Sequence, residues 1–175
     1  NSLLHYDHER DVFFFNSGAF QEYFASIYFD DSNEDELINN LYQEWWQNVI
    51  VFYNGKNPKR PVFIEKALKS IPIDIVSMFS HMQIMSKCLQ ASHLISNEMA
   101  EKAIMNIICV FDRFYKLLVS SVGDDNTTIA YKWSTLDMIL QCRNIFDDLF
   151  NSKHINITIV KDKAIEILLE RNNQF

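Results

Sequence analysis

Three glycines and three prolines are spread over 175 residues, and that scarcity constrains the fold more than any other feature. A sheet-rich chain turns about every 8–12 residues and fills those turns with glycine, proline and short polar residues. Six such breakers cannot serve an all-β sandwich or barrel. The glycine clusters of dinucleotide- and phosphate-binding loops are missing as well. Helix is the structure that needs few breakers, and apolar residues recur at helical spacing through every long segment. Apolar residues make up 48% of the chain and aromatics 14%, enough large side chains to offset the entropy of ordering.

The expected fold is all-α. It is a single antiparallel helical bundle, or a HEAT-like stack of helical hairpins, with about six to eight helices around a central hydrophobic helix at about 97–122. One domain covers 1–175. It is read as excised from a longer protein, because it starts without methionine, and its first 16 residues are read as irregular. A first helix spans about 17–28, with Phe20, Phe24, Ile27 and Tyr28 on one face. Ser32-Asn33-Glu34-Asp35 opens the second as a variant capping box. Its stripe is Leu37, Ile38, Leu41, Trp45, Val49 and Phe52, and Asn54-Gly55 closes it with a left-handed cap. Pro61 opens a third helix carrying Ile64, Ala67, Leu68 and Ile71. Pro72 ends it and starts a fourth, to about 94, with Ile75, Val76, Phe79, Met82, Ser86 and Leu89 inward.

Ser96-Asn97-Glu98 caps the fifth and longest helix. Its stripe is Ala103, Ile104, Ile107, Ile108, Phe111, Phe114 and Leu118, with Ile108 and Phe111 expected among the most buried residues. A sixth helix covers about 128–151, with Ile129, Trp133, Leu136, Leu140, Phe146 and Phe150 inward, and a last one follows Asn156 or Thr158 with Ala164, Ile165, Leu168 and Leu169. Short turns between the fourth, fifth and sixth helices impose antiparallel neighbours. Seven or so helices around one hydrophobic helix, in a chain rich in Asn, Ile, Asp and Phe, resemble the divergent viral Bcl-2-like domains. The Asn-Trp-Gly-Arg signature of cellular Bcl-2 proteins does not occur here. The long helical hairpins also resemble helical scaffold domains of yeast-type nuclear or cytosolic assemblies.

Net charge is −7, which argues against direct nucleic-acid binding, since phosphates call for a basic surface. No stretch reaches the ~18 apolar residues of a membrane span, and the expected setting is intracellular, cytoplasmic or nuclear. The cysteines Cys88, Cys109 and Cys142 are odd in number and lie in helical patterns, so they read as small buried hydrophobes rather than disulfides or zinc ligands. The sequons at Asn126 and Asn156 coincide with helix-cap positions.

Chemistry is sparse. Cys88 and His81 share a helix face seven residues apart, a spacing a nucleophile–base pair needs, but a buried thiol and a partly exposed imidazole explain them. His5 and His8, near Glu9 and Asp11, have a spacing that would serve zinc on a helix, yet they sit in a polar terminal stretch. The acids around Ser32 favour the helix dipole and also make that serine resemble an acidophilic kinase site. No glutamate stands three before a histidine, as a bundle-core metal site would require. No catalytic residue, metal site or cofactor is therefore expected.

Two features point to binding. Lys56, Lys59, Arg60, Lys66 and Lys69 are five bases within fourteen residues, opposed only by Glu65. Cations near a helix start are unfavourable for the helix itself, so this band is read as a receptor for an acidic or phosphorylated segment of another protein. The competing reading pairs it with residues 1–54, which carry ten acids and one base. The second feature is aromatic surplus: Phe13, Phe14 and Phe15 cannot all face one core, and Trp45 and Trp46 diverge on a helix. Phe13, Phe14, Phe15 and Trp46 are taken as a margin for docking. The expected function is a non-enzymatic interaction or scaffold domain. The alternatives are a Bcl-2-like groove holding an amphipathic helix to regulate apoptosis or innate signalling, and a helical enzyme with a site assembled from scattered residues.

Overall fold

The computed structural model describes residues 3–56, 62–92, 94–122, 129–151 and 162. A hairpin comes first: β1 (Leu4–Asp7) pairs antiparallel with β2 (Val12–Phe15), in the register Leu4 to Phe15 and Asp7 to Val12. Seven helices follow among the described residues: α1 (Gly18–Tyr28), α2 (Glu34–Asn39), α3 (Gln47–Lys56), α4 (Val62–Lys69), α5 (Ile75–Ala91), α6 (Asn97–Val122) and α7 (Ile129–Asn151). The fold is all-α with one small sheet.

The hairpin replaces the irregular start expected over 1–16. Its turn is built by side chains. Asp7 Oδ1 accepts the Glu9 and Arg10 N–H groups at 2.9 and 3.2 Å, an Asx turn. Asp11 takes the left-handed φ of 54°, which aspartate tolerates better than most residues. Such a turn needs neither glycine nor proline, so composition gave no sign of it.

The core runs along α5 and α6. On α6 the fully buried positions include Ala103, Ile107 and Phe114, while Phe111 is only partly buried, against Phe146. The true centre of the stripe thus lies one position before Ile108, and Phe111 sits at its edge. α5 shares the central place expected for α6 alone: it packs against α3, α4, α6 and α7. It is apolar or small almost all round, with Met78, Met82, Ile84, Met85 and Leu89 buried. Its outermost expected core residue, Val76, is exposed. Asp74, not Pro72, caps this helix, accepting the Ser77 N–H at 2.9 Å. Ser96 caps α6 as expected, its Oγ accepting the Met99 N–H at 3.2 Å. On α7, Cys142, Ile145 and Leu149 face inward and Leu140 faces out. The last expected helix lies outside the described residues, apart from residue 162.

The second expected helix is broken. α2 ends at Asn39, and a short 3-10 turn at Glu44–Trp46 leads into α3. Asn40 competes with the helix, its Nδ2 donating to the Glu36 carbonyl at 2.8 Å. The break resets the helical phase. Trp45 therefore turns outward, 72% exposed, and Trp46 packs edge-on against Phe29 at 5.8 Å. Gly55 is not a left-handed cap. It is helical, and a Cβ there would lie 3.5 Å from Ala91. Next to it Asn54 is buried, its Nδ2 donating to the Cys88 carbonyl at 2.8 Å.

Candidate interaction surface

α1 has its faces reversed relative to an ordinary amphipathic helix. The positions that meet the domain are Glu22, Ala25, Ser26 and, just beyond the helix, Phe29. Ser26 is the helix's one buried residue. Phe20, Tyr23, Phe24, Ile27 and Tyr28, the large residues at helical spacing, all face out. Small residues let α1 lie close to α3, and polar bonds fix it there. Asn48 Nδ2 donates to Glu22 Oε1 at 3.0 Å. Lys56 Nζ donates to the Ser26 and Phe29 carbonyls at 2.6 and 2.8 Å, a cation on the carbonyl end of a helix.

The hairpin extends this face. Phe15 stacks on Phe24, with ring centroids 5.6 Å apart, and Tyr23 meets Phe24 and Phe52 edge-on. Phe13 is 70% exposed and Phe14 also faces solvent, each with one cross-strand ring neighbour, Tyr6 and His5. Ten of the nineteen large apolar residues exposed among the described residues fall between Leu3 and Tyr28. That concentration, not the exposure of any one residue, separates this surface from ordinary scattered apolar exposure. Of the four aromatic positions singled out in the sequence, Phe13 and Phe15 share the side of β2 that meets α1, while Phe14, one residue off in the strand, lies on the other side of the hairpin beside His5. Trp46 does not belong here: it is half-buried against the core, and Trp45 is the exposed tryptophan. Sequence reasoning also missed the outward turn of α1. The signal was present, since Ala25 and Ser26 give that helix a second, small face.

Two bases of the basic band, Lys56 and Lys66, are used internally. Lys66 Nζ lies 2.9 Å from Glu34 Oε2 and 2.7 Å from Asp35 Oδ1, and these carboxylates hold its pKa above the usual lysine value. Glu34 is buried and also accepts the Tyr53 hydroxyl at 3.1 Å. Burial and that carboxylate push the Tyr53 pKa up. Lys56 is spent on the end of α1, and desolvation there lowers its pKa. Lys69 is exposed, while Lys59 and Arg60 lie outside the described residues. Of the three described bases, Lys66 pairs with acids of the N-terminal part, Lys56 bonds backbone carbonyls there, and Lys69 stands exposed.

The pair His81 and Cys88 is buried rather than open. His81 Nε2 donates to Asn106 Oδ1 at 2.6 Å, and Nδ1 faces the Tyr42 hydroxyl at 3.3 Å. That hydroxyl also lies 2.9 Å from Ser70 Oγ. His81 is fully buried, not partly exposed as the sequence suggested, and burial lowers its pKa. Burial pushes the Cys88 thiol up to about 12, away from the thiolate a nucleophile needs. Cys142 is buried as expected, with its thiol also up at about 12, but Cys109 is exposed. His5 and His8 fall on a strand and its turn, so the helical spacing that would aim both at one metal ion does not apply. Among the described residues no group of three or more His, Cys, Asp or Glu is placed to hold a metal ion, and no helix is long and apolar enough to cross a membrane. Ser32 Oγ donates to Asp30 Oδ1, and Ser32 itself does not cap α2. Comparison with known protein families, with curated proteins and with solved structures finds no match in any of the three.

Proposed function

We propose that this chain is a non-enzymatic interaction domain that docks a partner protein on the face formed by β2 and the outer side of α1. Apolar anchoring supplies the contact area, and charge complementarity sets the orientation. The reversed α1 carries this reading. Five large side chains, Phe20, Tyr23, Phe24, Ile27 and Tyr28, are held in water by a helix whose inner face is polar and small. Covering such side chains yields about 25 cal/mol for each Å² of apolar surface removed from water, and although Phe15 and Phe52 touch Phe24 and Tyr23, all five remain exposed among the described residues.

A photo-reactive benzoylphenylalanine at Phe24 tests this in cells. Discrete protein adducts should form there and disappear when Phe13→Ser and Tyr28→Ser are added. The same label at Leu140, exposed on α7, serves as the control. Equal adducts from both positions, or none from Phe24, would refute the reading.

A further inference from the structure

The charge around this surface says what kind of partner fits it. Residues 3–31 hold six carboxylates, Asp7, Glu9, Asp11, Glu22, Asp30 and Asp31, against one base, Arg10. With histidines neutral that is −5. The elements packed on α1 are β2 and α3, and they add only Lys56, which leaves −4, or −3 without Glu22 on the inner side of α1. Asp7 and Asp30 accept backbone N–H groups and Glu22 an amide, and Asp7 Oδ2 also lies 3.7 Å from the Nε of Arg10, already counted above. At Asp30 the Ser32 bonds hold the carboxyl below its usual pKa. The acids fall at both ends of this stretch of sequence, Asp7, Glu9 and Asp11 in the hairpin before the aromatic helix and Asp30 and Asp31 just after the last turn of α1.

A second copy of this chain would bring the same rim against it in a two-fold contact, and like charges facing each other are penalised. An anionic membrane surface is disfavoured for the same reason. We propose that the occupant is a basic, apolar polypeptide segment. Its aliphatic or aromatic side chains would seat on Phe13, Phe20, Phe24 and Ile27. Its lysines or arginines would reach the acids at either end and lie over exposed ring faces. This rests on the docking reading above and adds the partner's chemistry. It also reverses the acidic partner expected from the basic band, whose Lys56 and Lys66 are used internally.

Selection of a random-peptide phage library on the whole immobilised chain tests it. Enriched peptides should combine net positive charge with large apolar residues. A synthetic representative should bind more weakly as salt is added. It should also lose about tenfold or more in affinity against a Phe13→Ser, Phe24→Ser variant. A second variant, Glu9→Lys with Asp31→Asn, keeps the aromatic face and should also weaken binding, which covers the case that the first variant fails to fold. Neutral or acidic peptides that still need Phe13 and Phe24 would overturn the basic partner and leave the docking surface standing. Peptides indifferent to a folded Phe13→Ser, Phe24→Ser variant would overturn both. A dimer in sedimentation equilibrium that this variant abolishes would make a second copy the occupant and overturn the proposal.

Discussion

Mild acid should loosen this fold through His81. The imidazole is fully buried between α5 and α6, donating from Nε2 to Asn106 and facing the Tyr42 hydroxyl with Nδ1. Burial penalises its charged form, and the Asn106 bond only partly compensates, so its pKa in the folded protein lies below 6.5. The unfolded chain binds a proton on this residue at about 6.5. Between the two values the unfolded state therefore carries the extra proton. The stabilisation is fully present above about pH 6.5 and declines as pH falls toward the folded value, at about 1.4 kcal/mol per pH unit for one proton.

Urea unfolding followed by helical circular dichroism at stepped pH from about 7.5 to about 5.5 measures this. The wild type should lose stability toward the lowest pH relative to a His81→Gln variant, by at most about 1.4 kcal/mol, the limit for one proton over the unit below about 6.5. The variant's amide can still donate to Asn106 but cannot take up a proton. Subtracting the two curves removes the other histidines and the carboxylates. A difference curve that is flat, or that rises as pH falls, would refute the reasoning, because it would mean that His81 is as easily protonated in the fold as out of it.

Other outcomes follow from packing and exposure. Ile107→Ala, at the buried centre of the α6 stripe, should cost about 2–5 kcal/mol in denaturant melts; a loss under about 1 kcal/mol would place α6 at the periphery. Gly55→Ala should raise stability by about 0.4–1 kcal/mol, since the residue is helical and its new methyl would meet Ala91 at an ordinary 3.5 Å. A lowered urea midpoint would show that α3 and α5 cannot accept it. Ellman's reagent should titrate one thiol, Cys109, in the native chain and all three after denaturation; rapid reaction of a second native thiol would contradict the burial of Cys88 and Cys142.

The sequence was most legible where periodicity ran unbroken and a cap marked the start. The α6 helix begins behind Ser96 and ends at Val122 as read, because 26 residues of one apolar period leave little freedom of phase. Phase was lost where a local side-chain bond interrupted it. Asn40 ended α2 by bonding back to Glu36, and the 3-10 turn at Glu44–Trp46 shifted the phase locally, which moved Trp45 to solvent and Trp46 against the core while Leu41 and Val49 stayed buried as read. The hairpin was invisible because its turn is made by Asp7 and Asp11, residues that read as solvated charge. The α1 helix stands where its spacing placed it, but the direction of its apolar face stayed open, since apolar spacing gives a face and not its direction. Only the pairing of Ala25 and Ser26 opposite the aromatics distinguished an outward face from an inward one.

That orientation also explains why a band of bases follows an acidic third of the chain. A helix that turns its aromatic side to solvent gains little from apolar burial beneath it and must be held by other means. Lys56 holds the carbonyl end of α1, Asn48 holds Glu22, and Lys66 ties α4 to Glu34 and Asp35 at the start of α2. Glu34 in turn anchors Tyr53 of α3, the helix on which α1 rests. Each bond joins a residue of 1–54 to a neighbouring element by polar contact, and together they hold α1 in place while its apolar side, apart from the ring contacts of Tyr23 and Phe24 with Phe52 and Phe15, stays toward solvent. Charge in the N-terminal part therefore has two uses. One set of acids is matched internally by Lys66, and the other, flanking the exposed rings, retains its net negative charge and faces outward.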